Sequence, residues 1–247
     1  MSTFLDLKHK IKDRGAAYVV LIDPDKKNKD SIMEFVSLGN VSNVDAFFVG
    51  GSLMMDSKSS NRVKMIKEYS ELPLILFPGG AGQLNKHFDA MLFMSVISGR
   101  NSHYLIGEQV IAAPIVRDLN IETISTGYIL LDGGSCSTVE FMSGTRPIPL
   151  NRVDIIIAHA LAGQYLGMDC IYLESGSGAE IPVTSEVVSA VKESINIPII
   201  VGGGIKSPEK ASELVKAGAS IIVSGTNVER KSSIMSEMSD AVHWKKT

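Results

Sequence analysis

Short runs of consecutive apolar residues recur along the chain, each closed by Gly, Asp, Ser or Pro, with segments of helical apolar spacing between them. Continuous apolar runs mark strands covered on both faces, and their alternation with amphipathic segments is the pattern of an α/β fold with a parallel sheet. The pattern predicts eight strands, over 17–22, 46–49, 74–77, 91–94, 123–131, 170–174, 199–201 and 221–224. It predicts helices over 61–71, 106–119, 153–166, 185–194 and 208–217, several opened by a Ser or Pro start signal. The stretch 79–89 is short for a crossover helix, so one outer helix is expected to be missing or shortened after the third strand.

Eight strands with helices between them in 247 residues fit a single, modified (β/α)8 barrel domain over 1–247. A doubly wound open sheet is the competitor. The strand ends separate the two, because nearly all are polar or glycine-rich: Asp23-Pro24-Asp25, Gly50-Gly51-Ser52, Pro78-Gly79-Gly80, the run from Glu174 to Gly178, Gly202-Gly203-Gly204 and Ser224-Gly225-Thr226. A barrel gathers all of them at one mouth, so one shared site accounts for them together. The stretch 132–150, rich in Gly, Ser, Thr and Pro, exceeds an ordinary connection and reads as a long loop.

Composition narrows the functional classes. With 45% apolar and 21% charged residues the chain is far from the signature of disorder. A net charge of -3, with no basic run beyond Lys245-Lys246, argues against nucleic acid or an anionic membrane surface as a charge-recognised partner. Cys136 and Cys170 match neither a disulfide framework nor a zinc site and suit a reducing cytoplasm. Residues 1–14 lack the apolar core of a signal peptide, and no stretch reaches the roughly 18 apolar residues of a transmembrane helix. The five histidines show no metal or triad spacing.

Three constellations carry candidate chemistry. Glycines after the last strands let backbone approach a ligand and expose N–H groups to an anion, and the loops after strands seven and eight are the usual phosphate site of barrels. Gly203, Gly204, Gly225 and Thr226 stand there, with tight turns as the plainer reading. Asp23 ends strand one beside Ser52 at the end of strand two. An inward carboxylate of this kind suits magnesium, a hard cation that keeps water and substrate phosphates in its shell; a turn or helix-cap role for Asp23 is the alternative. Tyr172 and Glu174 share one face of strand six, opposite Leu173, and Glu174 adjoins the turn from Ser175 to Gly178. A carboxylate there could take a proton from a bound hydroxyl, or it could form an ion pair across the barrel.

The segments Leu21-Ile22-Asp23-Pro24-Asp25-Lys26, Gly50-Gly51-Ser52, Phe77-Pro78-Gly79, Tyr172-Leu173-Glu174-Ser175-Gly176-Ser177-Gly178-Ala179, Gly202-Gly203-Gly204-Ile205 and Ser224-Gly225-Thr226 resemble the geranylgeranylglyceryl phosphate synthases and their bacterial relatives that use other prenyl chain lengths. Gly144-Thr145-Arg146-Pro147-Ile148-Pro149 is similar to the larger-loop branch of that family. The resemblance implies a magnesium-dependent prenyltransferase on a modified barrel. It implies transfer of a polyprenyl group, geranylgeranyl being the expected chain, from its diphosphate to the 3-hydroxyl of sn-glycerol 1-phosphate. It further implies Mg2+ at Asp23 and Ser52, and Glu174 as the base. Glycerol phosphate is implied at Tyr172, Leu173, Glu174, Ser175, Gly176, Ser177, Gly178, Gly203, Gly204, Gly225 and Thr226. Ser175 departs from the Ala expected in many relatives. The product is lipid-like, and a homo-oligomer is expected. Another phosphate-binding barrel enzyme, an isomerase or aldolase, and a non-catalytic phosphometabolite-binding barrel remain as rivals.

Overall fold

The structure is a computed structural model and describes residues 2–25, 29–225, 228 and 232–245. The eight strands are β1 (Ala17–Ile22), β2 (Ala46–Val49), β3 (Leu74–Leu76), β4 (Ala90–Val96), β5 (Glu122–Leu130), β6 (Cys170–Glu174), β7 (Ile199–Gly202) and β8 (Ile221–Ser224). They pair in parallel in sequence order and close β8 onto β1, which settles the choice against an open sheet. Strand alternation divides the core. Val19, Phe48, Leu92, Leu130, Tyr172 and Ile200 fill the barrel, while Val20, Val49, Leu173 and Val201 face the surrounding helices.

Among the described residues the helices are α1 (Thr3–Arg14), α2 (Lys29–Val41), α3 (Ser59–Tyr69), α4 (Glu108–Leu119), α5 (Thr138–Ser143), α6 (Val153–Tyr165), α7 (Ser185–Ser194), α8 (Pro208–Lys216) and α9 (Met235–Val242). Only the short 3₁₀ turn Ala81–Gln83 separates β3 from β4, so the outer ring has the gap expected there. The pattern of apolar residues gave no helix for α1 or α2. In α1 the buried stripe is only Phe4 and Leu7 on an otherwise charged segment. In α2 the buried Ile32, Phe35 and Val36 do carry helical spacing. The stretch 132–150 is also more ordered than a plain loop: it contains α5 and returns to β5 through a parallel bridge between Leu131 and Ile148. None of the described helices is long and apolar enough to cross a membrane.

The end of the barrel at the strand N-termini is closed by α1, whose Phe4 and Leu7 join the interior cluster. Glu122, the first residue of β5, holds the first turn of α1: its carboxylate accepts from Ser2 Oγ at 2.6 Å, Thr3 N at 2.6 Å and Phe4 N at 3.1 Å. A second tie is the fully buried Asp45, which accepts from Tyr18 N at 2.8 Å, pairs with Arg14 at 2.8 Å and meets His243 Nε2 at 2.7 Å. It joins α1, β1 and the residue following α9. Function is thereby left to the opposite mouth.

Burial raises the Glu122 pKa, but the hydrogen bonds from Ser2, Phe4 and Thr3 outweigh it and hold the carboxyl below the usual glutamate range. A depressed folded-state value means that stability is present above the unfolded pKa and is lost as pH falls through the folded one. Glu122→Ala is expected to cost about 1–2 kcal/mol, as for a lost helix cap, and to flatten the acid limb of the parent's stability curve. Urea melts at pH 7 and through the acid range would show both effects; an unchanged midpoint at pH 7 would rule the tie out.

Candidate active site

The strand C-termini surround a cavity of about 680 Å³. Its wall takes Asp23 from the end of β1, Ser52 after β2, Phe77 after β3, Tyr128 from β5, Glu174 from β6 and Gly203 after β7. The three candidate constellations therefore meet in one space.

Glu174 is the most constrained of these groups. Tyr172 and Glu174 lie on the inward face of β6, and Gly202 is paired with Glu174 in the β6–β7 register. Glu174 is buried, its Oε1 accepts from Gly176 N at 2.7 Å, and the Tyr172 hydroxyl bonds to the same carboxyl. Burial pushes the carboxyl up to about 7, against the pull of those two hydrogen bonds. Desolvation of the ionised form thus dominates. In turn, burial and then the nearby Glu174 charge hold the Tyr172 hydroxyl well above its usual range.

Two glycines make this arrangement sterically possible. A Cβ at Gly202 would lie 2.3 Å from Tyr172 Oη and 2.8 Å from Glu174 Oε2. At Gly203, whose φ of +84° already favours glycine, it would lie 2.4 Å from Glu174 Oε1 and 2.8 Å from Gly176 N. The triplet that reads as a phosphate turn is therefore also the space in which the carboxyl sits. Gly176, Gly178, Gly203, Gly204 and Gly225 all border the cavity, as does Ser177.

The remaining sequence candidates sort by position. Leu173 packs in the outer layer between strands and helices, as strand alternation requires, and its side chain lies on the side away from the barrel interior. Ser175 is buried, and its hydroxyl has no hydrogen-bond partner among the described residues. Thr226 lies outside the described residues.

On the opposite wall, Asp23 Oδ1 accepts from Asp25 N at 3.1 Å, and a Cβ at Gly51 would stand 3.4 Å from Asp23 Oδ2. Ser52 is exposed and follows directly. Asp25 plays a different part, accepting from Met55 N at 2.6 Å and meeting Arg62 at 3.4 Å, so that it ties the loop after β2 to the end of β1. The described residues contain no cluster of three His, Cys, Asp or Glu able to hold a metal. One carboxylate with a hydroxyl neighbour is too sparse for a closed zinc site. It fits magnesium, which binds through one or two carboxylates and fills its shell with water and substrate phosphates.

Tyr128, Phe77 and Lys206 also border the cavity, although the sequence pattern assigned them no role there. Tyr128 was accessible to strand reasoning, because it is paired with Tyr172 across β5 and β6. Phe77 was accessible in the same way, because it ends the predicted strand 74–77 on the face of Ile75, whereas Lys206 follows a strand end, where alternation no longer predicts direction.

A raised carboxyl pKa carries the opposite stability sign from Glu122: the contribution is intact below the unfolded value and is lost as pH rises through the folded one, about 7. Glu174→Gln removes the buried charge while keeping the shape. It is expected to be more stable than the parent at pH 8, by up to about 3 kcal/mol, and close to it at pH 5. Chemical denaturation at the two pH values measures this, and a variant less stable at pH 8 would show that Glu174 serves as a structural ion.

Comparison with known proteins agrees with the site. The model of the PcrB family matches residues 9–244. Geranylgeranylglyceryl phosphate synthase of Chitinophaga pinensis is 44% identical over 243 residues, covering 98% of this chain and 95% of that one. The synthase of Pyrococcus horikoshii is 42% identical over 227 residues, covering 92% and 89%. Among solved structures, (S)-3-O-geranylgeranylglyceryl phosphate synthase of Thermoplasma acidophilum, in complex with its substrate sn-glycerol-1-phosphate, superposes with a TM-score of 0.92 at 33% identity over 98% of this chain and 99% of that one. A barrel with a gap after β3, the inward Tyr172–Glu174 pair and these matches over nearly the whole length lead to one assignment: the chain belongs to the PcrB family, together with the geranylgeranylglyceryl phosphate synthases.

Proposed function

We propose that the protein transfers a polyprenyl group, with geranylgeranyl the expected chain, from its diphosphate to the 3-hydroxyl of sn-glycerol 1-phosphate and releases diphosphate. The observation that carries the reading is Glu174, a buried carboxyl with a pKa of about 7 beside the glycine turns of the mouth. That value suits a general base at neutral pH. The names of the relatives, and the sn-glycerol-1-phosphate complex of the Thermoplasma acidophilum enzyme, support the same acceptor.

In this mechanism backbone N–H groups around Gly178, Gly203 and Gly225 receive the acceptor phosphate, which directs the glycerol hydroxyls toward Glu174. As the 3-hydroxyl oxygen attacks C1 of the donor, Glu174 takes its proton. Asp23 and Ser52 are the residues that would hold Mg2+, which when bound neutralises charge on the leaving diphosphate. The start of the donor's tail has an apolar place beside the mouth. Met91, Phe93, Leu84 and Ala112 line a groove of about 70 Å³ at the missing outer helix, bordered by Pro78 and Gly79. An isomerase or aldolase acting on small phosphorylated metabolites has no use for such a groove.

Two further features of the reading have support. The apolar residues Ile106, Val110, Ile111 and Ile115 are exposed on and just before α4, which favours the homo-oligomer. Both cysteines are free thiols, in keeping with a reducing cytoplasm.

Incubation with sn-glycerol 1-phosphate, its sn-3 enantiomer and prenyl diphosphates of graded length is expected to give an ether product from the first acceptor alone, read by mass spectrometry. Glu174→Gln should lower turnover by roughly 10² to 10⁴. Because the base is the ionised form, the parent's single-turnover rate should rise with pH up to about 7 and then level off. The Gln variant's residual rate should not follow that curve. A parent profile flat from pH 5 to 8 would remove Glu174 from the chemistry.

The metal assignment has its own test. Asp23→Asn should leave the circular dichroism spectrum unchanged, abolish EDTA-sensitive turnover and weaken Mn2+ binding measured by electron paramagnetic resonance in the presence of diphosphate. A parent enzyme indifferent to EDTA would overturn it.

A further inference from the structure

The mouth mixes polar and aliphatic side chains, and its aromatic rings stand together on one wall. Phe77, Tyr128 and Tyr172 all border the cavity, with ring centroids 5.4 Å apart for Phe77–Tyr172, 5.5 Å for Tyr128–Tyr172 and 6.5 Å for Phe77–Tyr128. Tyr172 is occupied in holding Glu174. Phe77 has no polar atom, yet it is only partly buried in a cavity that also contains Asp23, Ser52 and Glu174. Its neighbours in sequence explain where it stands: Phe77 borders the mouth, whereas Pro78 and Gly79 border the apolar groove. The chain from Phe77 to Gly79 marks the junction of the two spaces, with the Phe77 ring on the mouth side.

If the prenyl tail occupies the groove and the diphosphate faces Asp23, C1 of the donor must pass this junction. The following therefore rests on the proposed prenyl transfer. In that reaction the C1–O bond to diphosphate breaks with the electron pair leaving on diphosphate, and positive charge spreads over the allylic carbons. The glycerol oxygen then forms the new C1–O bond, and its proton goes to Glu174. A cation in a desolvated space is attracted by the face of an aromatic ring within about 6 Å of its centroid. We infer that Phe77 is a catalytic residue, its ring stabilising the allylic cation at the junction, with Tyr128 and Tyr172 completing an electron-rich wall.

The quadrupole can be weakened with little change in shape by placing 4-fluoro-, 3,5-difluoro- and 3,4,5-trifluorophenylalanine at position 77. The logarithm of the single-turnover rate is expected to fall stepwise along the series, by about 10-fold in total. Affinity for the unreacted donor, measured with a non-ionising thio-diphosphate analogue, should stay constant. Phe77→Leu, which keeps an apolar side chain, should lose at least as much rate as the trifluoro protein. Should the Leu variant fail to fold, the fluorinated series still decides. A rate that is flat across the series, or one that falls only in parallel with donor affinity, would overturn the inference and leave Phe77 as a packing residue. Parent protein that forms no ether product would instead overturn the functional reading itself.

Discussion

An ionisable carboxyl enclosed at the end of a barrel strand is expensive, and the geometry of the mouth follows from accommodating it. Water would solvate Glu174 better than the protein does, so its pKa rises; two hydrogen bonds, from Gly176 N and the Tyr172 hydroxyl, keep the rise to a value near neutrality. Those bonds in turn require that β7 end without side chains, because Cβ atoms at Gly202 and Gly203 would occupy the positions of the Tyr172 and Glu174 oxygens. Phosphate binding is the familiar reason for glycines at this point of a barrel. Here the same residues also provide space for the Glu174 carboxyl, so in the proposed reaction acceptor binding and proton transfer share one structural element.

The rest of the fold isolates that mouth from the needs of stability. At the far end, α1 closes the barrel with Phe4 and Leu7, Glu122 holds its first turn, and Asp45 ties it to β1 and to His243. Buried ionic contacts at that end are already paired and take no part in chemistry. The gap after β3 is the opposite case, because a helix is absent and β3 and β4 have lost part of their usual cover. Met91, Phe93 and Leu84 lie along the opening. A globular barrel would gain by covering such a groove, and an enzyme acting on a long apolar chain gains by leaving it open.

Much of this was legible in the sequence, for physical reasons that also mark where it stopped. Strands covered on both faces read as apolar runs, so all eight were recognisable, and the shortness of 79–89 exposed the missing helix. Period-two alternation put Tyr172 and Glu174 inward and Leu173 outward. It would have served equally for Tyr128. The pattern was weaker where few apolar positions define an element: α1 rests on Phe4 and Leu7, and α5 is a single six-residue helix with Ser137 accepting from Glu140 N at its start. Loop geometry was beyond its reach. Both Asp23 and Asp25 border the cavity, but nothing local indicates that Asp25 is the one that also anchors Met55 and Arg62.

That division between two nearby aspartates bears on charge in the mouth. The proposed substrates bring a phosphate and a diphosphate to a cavity bordered by Asp23, Asp25 and Glu174, with Lys206 the cation among the described lining residues. Three fully ionised carboxylates would repel both ligands. Asp25 is offset by Arg62 at 3.4 Å, and Glu174, with a pKa of about 7, is protonated in a large share of molecules at neutral pH. In the proposed reaction the charge of Asp23 serves as an oxygen ligand for a divalent cation that also attracts diphosphate. In the proposed reaction the desolvation that raises the Glu174 pKa thus also lowers the electrostatic barrier to acceptor entry, and a carboxyl at this position with an ordinary pKa would serve both ends less well.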